Sequence, residues 1–172
     1  KEKVYKIALD GGFTCPNRDG KAGKGGCTFC TARGSGDFAG SRLLTIGEQF
    51  DDRREMMEKK WATGKLIAYF QAYTNTYAPI EELREKYEEA LKQPNVVALS
   101  IATRPDCVGD DVLDLLTEMN EKIHLIVELG LQTTNNETAR AFNRGYDTHV
   151  FEDTLKRLKS RNIEHSSCPI IT

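Results

Sequence analysis

Apolar and polar positions along the chain repeat one pattern. A short, nearly continuous apolar run is followed by a longer segment with apolar residues every three or four positions. The runs Val4-Tyr-Lys-Ile-Ala-Leu9, Lys65-Leu-Ile-Ala-Tyr-Phe-Gln-Ala72, Val96-Val-Ala-Leu-Ser-Ile-Ala102 and His124-Leu-Ile-Val-Glu-Leu-Gly-Leu131 predict four strands. Residues 163–171 predict a fifth. The box Thr45-Ile-Gly-Glu48 predicts a helix start, with the helix running to about Ala62. Pro79 opens a second helix that places Ile80, Leu83, Tyr87 and Leu91 on one face. A third covers 110–121 with Val112, Leu115, Leu116 and Met119 inward. A short fourth starts at the box Thr134-Asn-Asn-Glu137 and stops near Gly145. A fifth spans 148–161 and buries Phe151, Leu155 and Leu158.

Apolar strands alternating with amphipathic helices imply an α/β fold with a parallel, helix-covered sheet. No glycine-rich dinucleotide fingerprint follows the first strand, which weakens a doubly wound reading. Unusual residues gather after the predicted strand ends: a cysteine loop after the first, Gln71 to Thr76 after the second, Thr103-Arg-Pro-Asp106 after the third and Gln132 after the fourth. Barrel-type α/β folds concentrate chemistry there. A partial TIM-type barrel of repeated strand–helix units is therefore expected. A full barrel takes about 250 residues, so the 172 residues are expected to be an N-terminal portion with an unpaired sheet edge prone to aggregation.

Charge excludes little and favours little. Twenty-four Lys and Arg against 26 Asp and Glu give a net charge of −2, so no bulk electrostatic case for nucleic acid exists. A local basic set, Arg18, Lys21, Lys24, Arg33 and Arg42, reads either as a solvated loop or as a counterweight to a nearby anionic group. No apolar run approaches the roughly 20 residues of a membrane span, and the charged start does not resemble a signal peptide. A cytoplasmic location is expected.

Five cysteines, three of them in one glycine-rich stretch, favour metal or redox chemistry over a disulfide framework. Cys15 is followed by eleven residues and then Cys27-Thr-Phe-Cys30. Three thiolates suit an iron–sulfur cubane with one iron left open, whereas electron-transfer clusters and structural zinc usually take four ligands. A zinc-stabilised binding module remains the alternative. Cys107 and Cys168 stand alone and read as incidental thiols, and the three histidines form no cluster.

The run Asp10-Gly-Gly-Phe-Thr-Cys15-Pro-Asn-Arg-Asp-Gly20, followed by Gly25-Gly-Cys27-Thr-Phe-Cys30, resembles the cluster loop of a bacterial group within the radical S-adenosylmethionine (SAM) superfamily. That group is related to the tRNA-modifying Elongator catalytic subunit and to oxygen-independent coproporphyrinogen oxidases. The resemblance implies a [4Fe–4S] cluster on Cys15, Cys27 and Cys30, with SAM chelating the fourth iron. It further implies adenine contact at Phe29 and SAM contacts at Gln71, Tyr73, Thr103, Glu128 and Gln132. Arg144 would grip the SAM carboxylate. The implied reaction is reductive cleavage of SAM to a 5′-deoxyadenosyl radical that abstracts hydrogen from a substrate, with RNA as a candidate class. An external one-electron donor of flavodoxin or ferredoxin type is implied as partner. Two departures stand out: Gln71-Ala-Tyr73 replaces a usual Gly-Gly-Glu, and the fifth strand lacks a Gly-x-Ile-x-Gly motif. The second leaves open a remnant that binds the cluster without turnover.

Overall fold

A computed structural model describes residues 3–58 and 64–169. Five strands, β1 (Val4–Leu9), β2 (Lys65–Phe70), β3 (Val96–Thr103), β4 (His124–Gln132) and β5 (Glu164–Pro169), alternate with helices. The helices are α1 (Ile46–Glu58), α2 (Ile80–Leu91), α3 (Asp110–Lys122), α4 (Asn136–Ala141) and α5 (Thr148–Ser160). All strand pairs are parallel, and the sheet order follows the chain, β1-β2-β3-β4-β5. Doubly wound sheets reverse direction at a switch point; this one does not. With crossovers of one hand, an unreversed order keeps every helix on the same face, as in part of a barrel. β1 and β5 are the edges of the described sheet.

The period-two alternation of strand side chains separates two faces. Ile7, Leu9, Leu66, Ala68, Phe70, Leu99, Ile101, Leu125, Val127 and Leu129 are buried and meet Phe50, Leu83, Tyr87, Leu115, Leu116 and Leu158 from the helices. The other face carries Lys6, Ala8, Tyr69, Ser100, Ala102, Glu128 and Gly130, the inner wall of the partial barrel.

The Thr45–Glu48 box forms as expected. The Glu48 carboxylate accepts from Thr45 N–H at 2.8 Å, and Glu48 N–H donates to the Thr45 hydroxyl at 3.2 Å. The expected end of α1 near Ala62 lies outside the described residues, as do residues 170 and 171 of the fifth strand. The second box does not form. Asn135 caps α4 instead, its side-chain oxygen accepting from Glu137 and Thr138 N–H, because asparagine already satisfies two orphan donors one residue later. This helix ends at Ala141, earlier than expected, since Asn143 takes a left-handed conformation with φ 60°. α5 buries Thr154 beside Phe151 and Leu158; its hydroxyl donates to Pro105 C=O, while Leu155 is only partly buried.

Candidate functional site

The long loop after β1 is held at its root by α1. Gln49, 1% exposed, accepts from Asp10 N–H and donates to Asp10 C=O, both at 2.9 Å. Phe13 plugs the loop from below, and Arg42 donates to its carbonyl. Beyond it, Arg18 N–H and Asp19 N–H turn back onto Cys15 C=O, and Cys30 N–H closes onto Cys27 C=O. These turns bring the thiols of Cys15, Cys27 and Cys30, all half-buried, to one cavity.

The far side of that loop is latched to the segment after α4. Thr28 N–H donates to Phe142 C=O, Asn143 donates to Gly26 C=O, and Phe29 meets Phe142 edge-on at 5.3 Å. Asn17 is fully buried and joins the two parts. Its amide donates to Cys27 Sγ at 3.4 Å and to Asn143 C=O, while Gly26 N–H donates to Asn17 C=O. Ser35 Oγ donates to Cys30 Sγ at 3.7 Å. Polar donors therefore reach two of the three sulfurs.

The charge field around the thiols is positive. Contact with the Cys27 sulfhydryl, opposed by burial and aided by the Ser35 hydroxyl and Arg18, lowers the Cys30 thiol to about 6. Cys27 is raised in turn, by its bond with Cys30 and by burial. Burial disfavours the charge on Arg104, but the paired bonds to Asp106 at 2.9 and 2.7 Å more than restore it; Arg104 lies within electrostatic reach of Cys15 and Cys27. Of the local basic set, Arg18 acts on the thiol site. Lys21 instead lies over the Tyr77 ring at 5.3 Å.

The ten site residues expected from sequence all line this one cavity of about 280 Å³. Their surroundings differ. Gln71 donates to Ser35 C=O, and Tyr73 bonds Ala32 C=O through its hydroxyl and Gly34 C=O through its N–H, so both also brace the cysteine loop. Tyr73 has φ 63°, Ser35 φ 62° and Gln132 φ 60°. Left-handed backbone is rare for such residues and clusters at functional sites. Gln132 owes its orientation to an irregularity in the β4–β5 register between Gly130 and Gln132, the kind of bulge that re-aims a side chain. Gly34, at φ 61°, has no room for a Cβ: the Tyr73 ring would lie 2.5 Å from it. The Thr103 hydroxyl is shared with Thr76 at 2.6 Å.

Glu128 sits where the inner face turns polar. It accepts from Lys6 at 2.6 Å, Ser100 at 2.9 Å and Tyr69 at 3.0 Å, one partner from each preceding strand. Lys6 also lies over the Tyr69 ring at 4.3 Å. Burial pushes the Glu128 carboxyl up, but the Lys6 and Ser100 bonds together hold it below its ordinary value. A depressed folded value means the stabilisation is complete above the unfolded pKa and fades as pH falls through the folded one. Glu128→Gln should therefore be less stable than the parent near neutrality, with the difference shrinking below about pH 4. Urea midpoints from pH 7 to pH 3 check this; a constant difference would contradict it.

Arg144 lines the cavity with its guanidinium already committed to neighbouring groups. It is 1% exposed, and its five N–H groups go to Tyr146, Leu131 and Thr133 carbonyls, the Asn136 side chain and the Thr148 hydroxyl. A free carboxylate would have to displace one of these bonds. The buried guanidinium instead ties the end of β4 to the turn after α4. Sequence reasoning missed Asn17, Gln49, Ser35 and Asn143. Asn17 and Ser35 lie in the glycine-rich cysteine loop, whereas Gln49 on α1 and Asn143 after α4 carry no local signal.

The donor set fits an iron–sulfur cluster. Among the described residues, no group of three His, Cys, Asp or Glu side chains is gathered tightly enough to ligate a single metal ion. Half-buried sulfurs that receive hydrogen bonds suit a cubane. None of the histidines lines the cavity; His124 pairs with Glu164 at 3.3 Å.

Comparison with known proteins places the chain in a family. Residues 15–172 match the family described as the Radical SAM superfamily. The chain is 55% identical over 161 residues to YtqA of Bacillus subtilis and 41% identical over 171 residues to YhcC of Escherichia coli K12. These alignments cover 94% and 99% of the chain but 50% and 54% of those proteins, so the chain spans about half the length of these relatives. MJ0486 of Methanocaldococcus jannaschii is 35% identical over 168 residues, 95% of the chain and 50% of that protein. Among solved structures, the cobalamin-dependent SAM radical enzyme OxsB superposes with a TM-score of 0.58 at 13% identity, over 94% of this chain and 23% of that one. At that identity the likeness shows the fold, a partial TIM-type barrel. From the family match, this chain belongs to the radical SAM superfamily.

Proposed function

We propose that Cys15, Cys27 and Cys30 hold a [4Fe–4S] cluster and that SAM occupies the adjoining cavity. One observation carries the reading: the three thiols share a single cavity with Phe29, Gln71, Tyr73, Thr103, Glu128, Gln132 and Arg144. Its volume of about 280 Å³ is close to the lower end of the roughly 300–1,000 Å³ of small-molecule sites. When bound, the cluster supplies one electron for reductive cleavage of the SAM carbon–sulfur bond, giving a 5′-deoxyadenosyl radical for hydrogen abstraction.

The chain's own residues bind, orient and exclude water. Phe29, set against Phe142, offers an aromatic edge to an adenine. Glu128 and Gln132 offer polar groups from the end of β4, and Arg18 and Arg104 balance the negative charge of thiolates and cluster. Arg144 keeps the β4 end in place. An external one-electron donor supplies the reducing equivalent, and the cytoplasm is the compartment that keeps such thiols reduced. The resemblance to tRNA-modifying relatives makes RNA the substrate class to test first, on the longer protein. Iron and sulfide counted after anaerobic reconstitution test the reading: about four of each per chain support it, and stoichiometric zinc in their place would overturn it.

A further inference from the structure

Between residues 11 and 45, Asn17 is the only polar side chain that is fully buried. Both hydrogens of its amide are used: one goes to Cys27 Sγ at 3.4 Å, the other to Asn143 C=O. Its side-chain oxygen has no hydrogen-bond partner. Turning the amide over would set that oxygen against a carbonyl and a sulfur, so the two donations fix its orientation. A buried acceptor left unmet is costly, and an alanine here would avoid that cost. What an asparagine adds at this position is its pair of donors. The chain around it makes room for the amide. A Cβ on Gly23 would lie 2.2 Å from the Asn17 oxygen, and one on Gly145, at φ 83°, would lie 3.1 Å from it.

The two side-chain bonds to sulfur differ in kind. Ser35 reaches Cys30 Sγ from an exposed position at 3.7 Å, where water competes for the hydroxyl. Asn17 reaches Cys27 Sγ from a position sealed from water, where a hydrogen bond is electrostatically stronger. The Asn17 amide is also held from behind. Asn143, whose C=O it uses, donates its own side chain to Gly26 C=O, one residue before Cys27, so donor and sulfur are kept in register. Hydrogen bonds to the sulfurs are one of a protein's levers on the potential of an iron–sulfur cluster. An added electron makes the sulfurs more negative, and an N–H donor favours that state. We propose that Asn17 is a positioning residue of the cluster site, aiming Cys27 and making the cluster easier to reduce through its N–H···S bond. The inference rests on the cluster reading above and adds to it the residue that sets the cluster's potential.

The test is a redox titration of the anaerobically reconstituted protein without SAM, followed by visible absorbance, on the parent, Asn17→Ala and Asn143→Gly. Asn17→Ala removes the donor to sulfur. Asn143→Gly removes the bond to Gly26 C=O but leaves the backbone carbonyl that Asn17 uses, and glycine accepts the φ of 60° found there. Both variants should unfold at lower urea than the parent when metal-free. Only Asn17→Ala should move the potential. At a fixed potential its ratio of reduced to oxidised cluster should fall about fivefold, a downward shift of about 40 mV at about 59 mV per tenfold for one electron. Asn17→Asp keeps the side chain's shape but sets an oxygen against the sulfur. It should shift the potential further in the same direction, and it decides the matter if the alanine variant does not fold. An unmoved potential in a cluster-loaded Asn17 variant would overturn the inference. So would an equal shift in Asn143→Gly, which would trace the effect to a looser loop. A parent that takes up no iron and sulfide would instead sink the cluster reading, and this inference with it.

Discussion

Arg144→Ala is expected to destabilise the chain by about 3 kcal/mol, and Arg144→Lys by about half as much. The guanidinium is among the largest fully buried side chains and satisfies three backbone carbonyls, those of Leu131, Thr133 and Tyr146. Removing it leaves buried acceptors without donors, and each unmet group costs about 1–3 kcal/mol unless water enters. Lysine keeps the charge but is a point donor that cannot spread across five partners. Urea denaturation of the metal-free chain reads the effect directly. If Arg144 served a SAM carboxylate instead, the lysine variant would melt like the parent and lose only SAM affinity.

Replacing any one of Cys15, Cys27 or Cys30 with alanine is expected to abolish stable iron binding, while Cys107→Ala should keep it. The three thiols face one cavity, and two receive side-chain hydrogen bonds at sulfur. Cys107 lines a separate cavity with Tyr77 and Asp106, and burial pushes its thiol up to about 12, with Asp106 adding to the effect. Iron and sulfide per chain, with the visible absorbance of the reconstituted proteins, separate the outcomes. Loss of iron in Cys107→Ala equal to that in Cys27→Ala would show that the ligand set is misassigned.

Much of this architecture was legible because its signals are local. Strand and helix periods, the Thr45–Glu48 box and the Cys27–Cys30 spacing each occupy a few consecutive residues. The features that sequence reading missed depend on register between distant segments. Lys6, Tyr69, Ser100 and Glu128 converge only because four strands pair in a particular stagger. Asn17 meets Asn143 across 126 positions of chain. The partners of Arg144 are mostly backbone carbonyls, which leave no mark on side-chain pattern. The α4 cap moved by one residue because Thr134 and Asn135 are both competent caps, and their ranking is decided by the local turn.

The most direct measurement is 5′-deoxyadenosine formed after anaerobic reconstitution and dithionite reduction in the presence of SAM. The parent chain is set beside the Cys15/Cys27/Cys30→Ala variant. The account predicts a brown, iron- and sulfide-containing parent that yields 5′-deoxyadenosine, and a colourless variant that yields none. A colourless parent carrying one zinc, or equal product from both proteins, would contradict it.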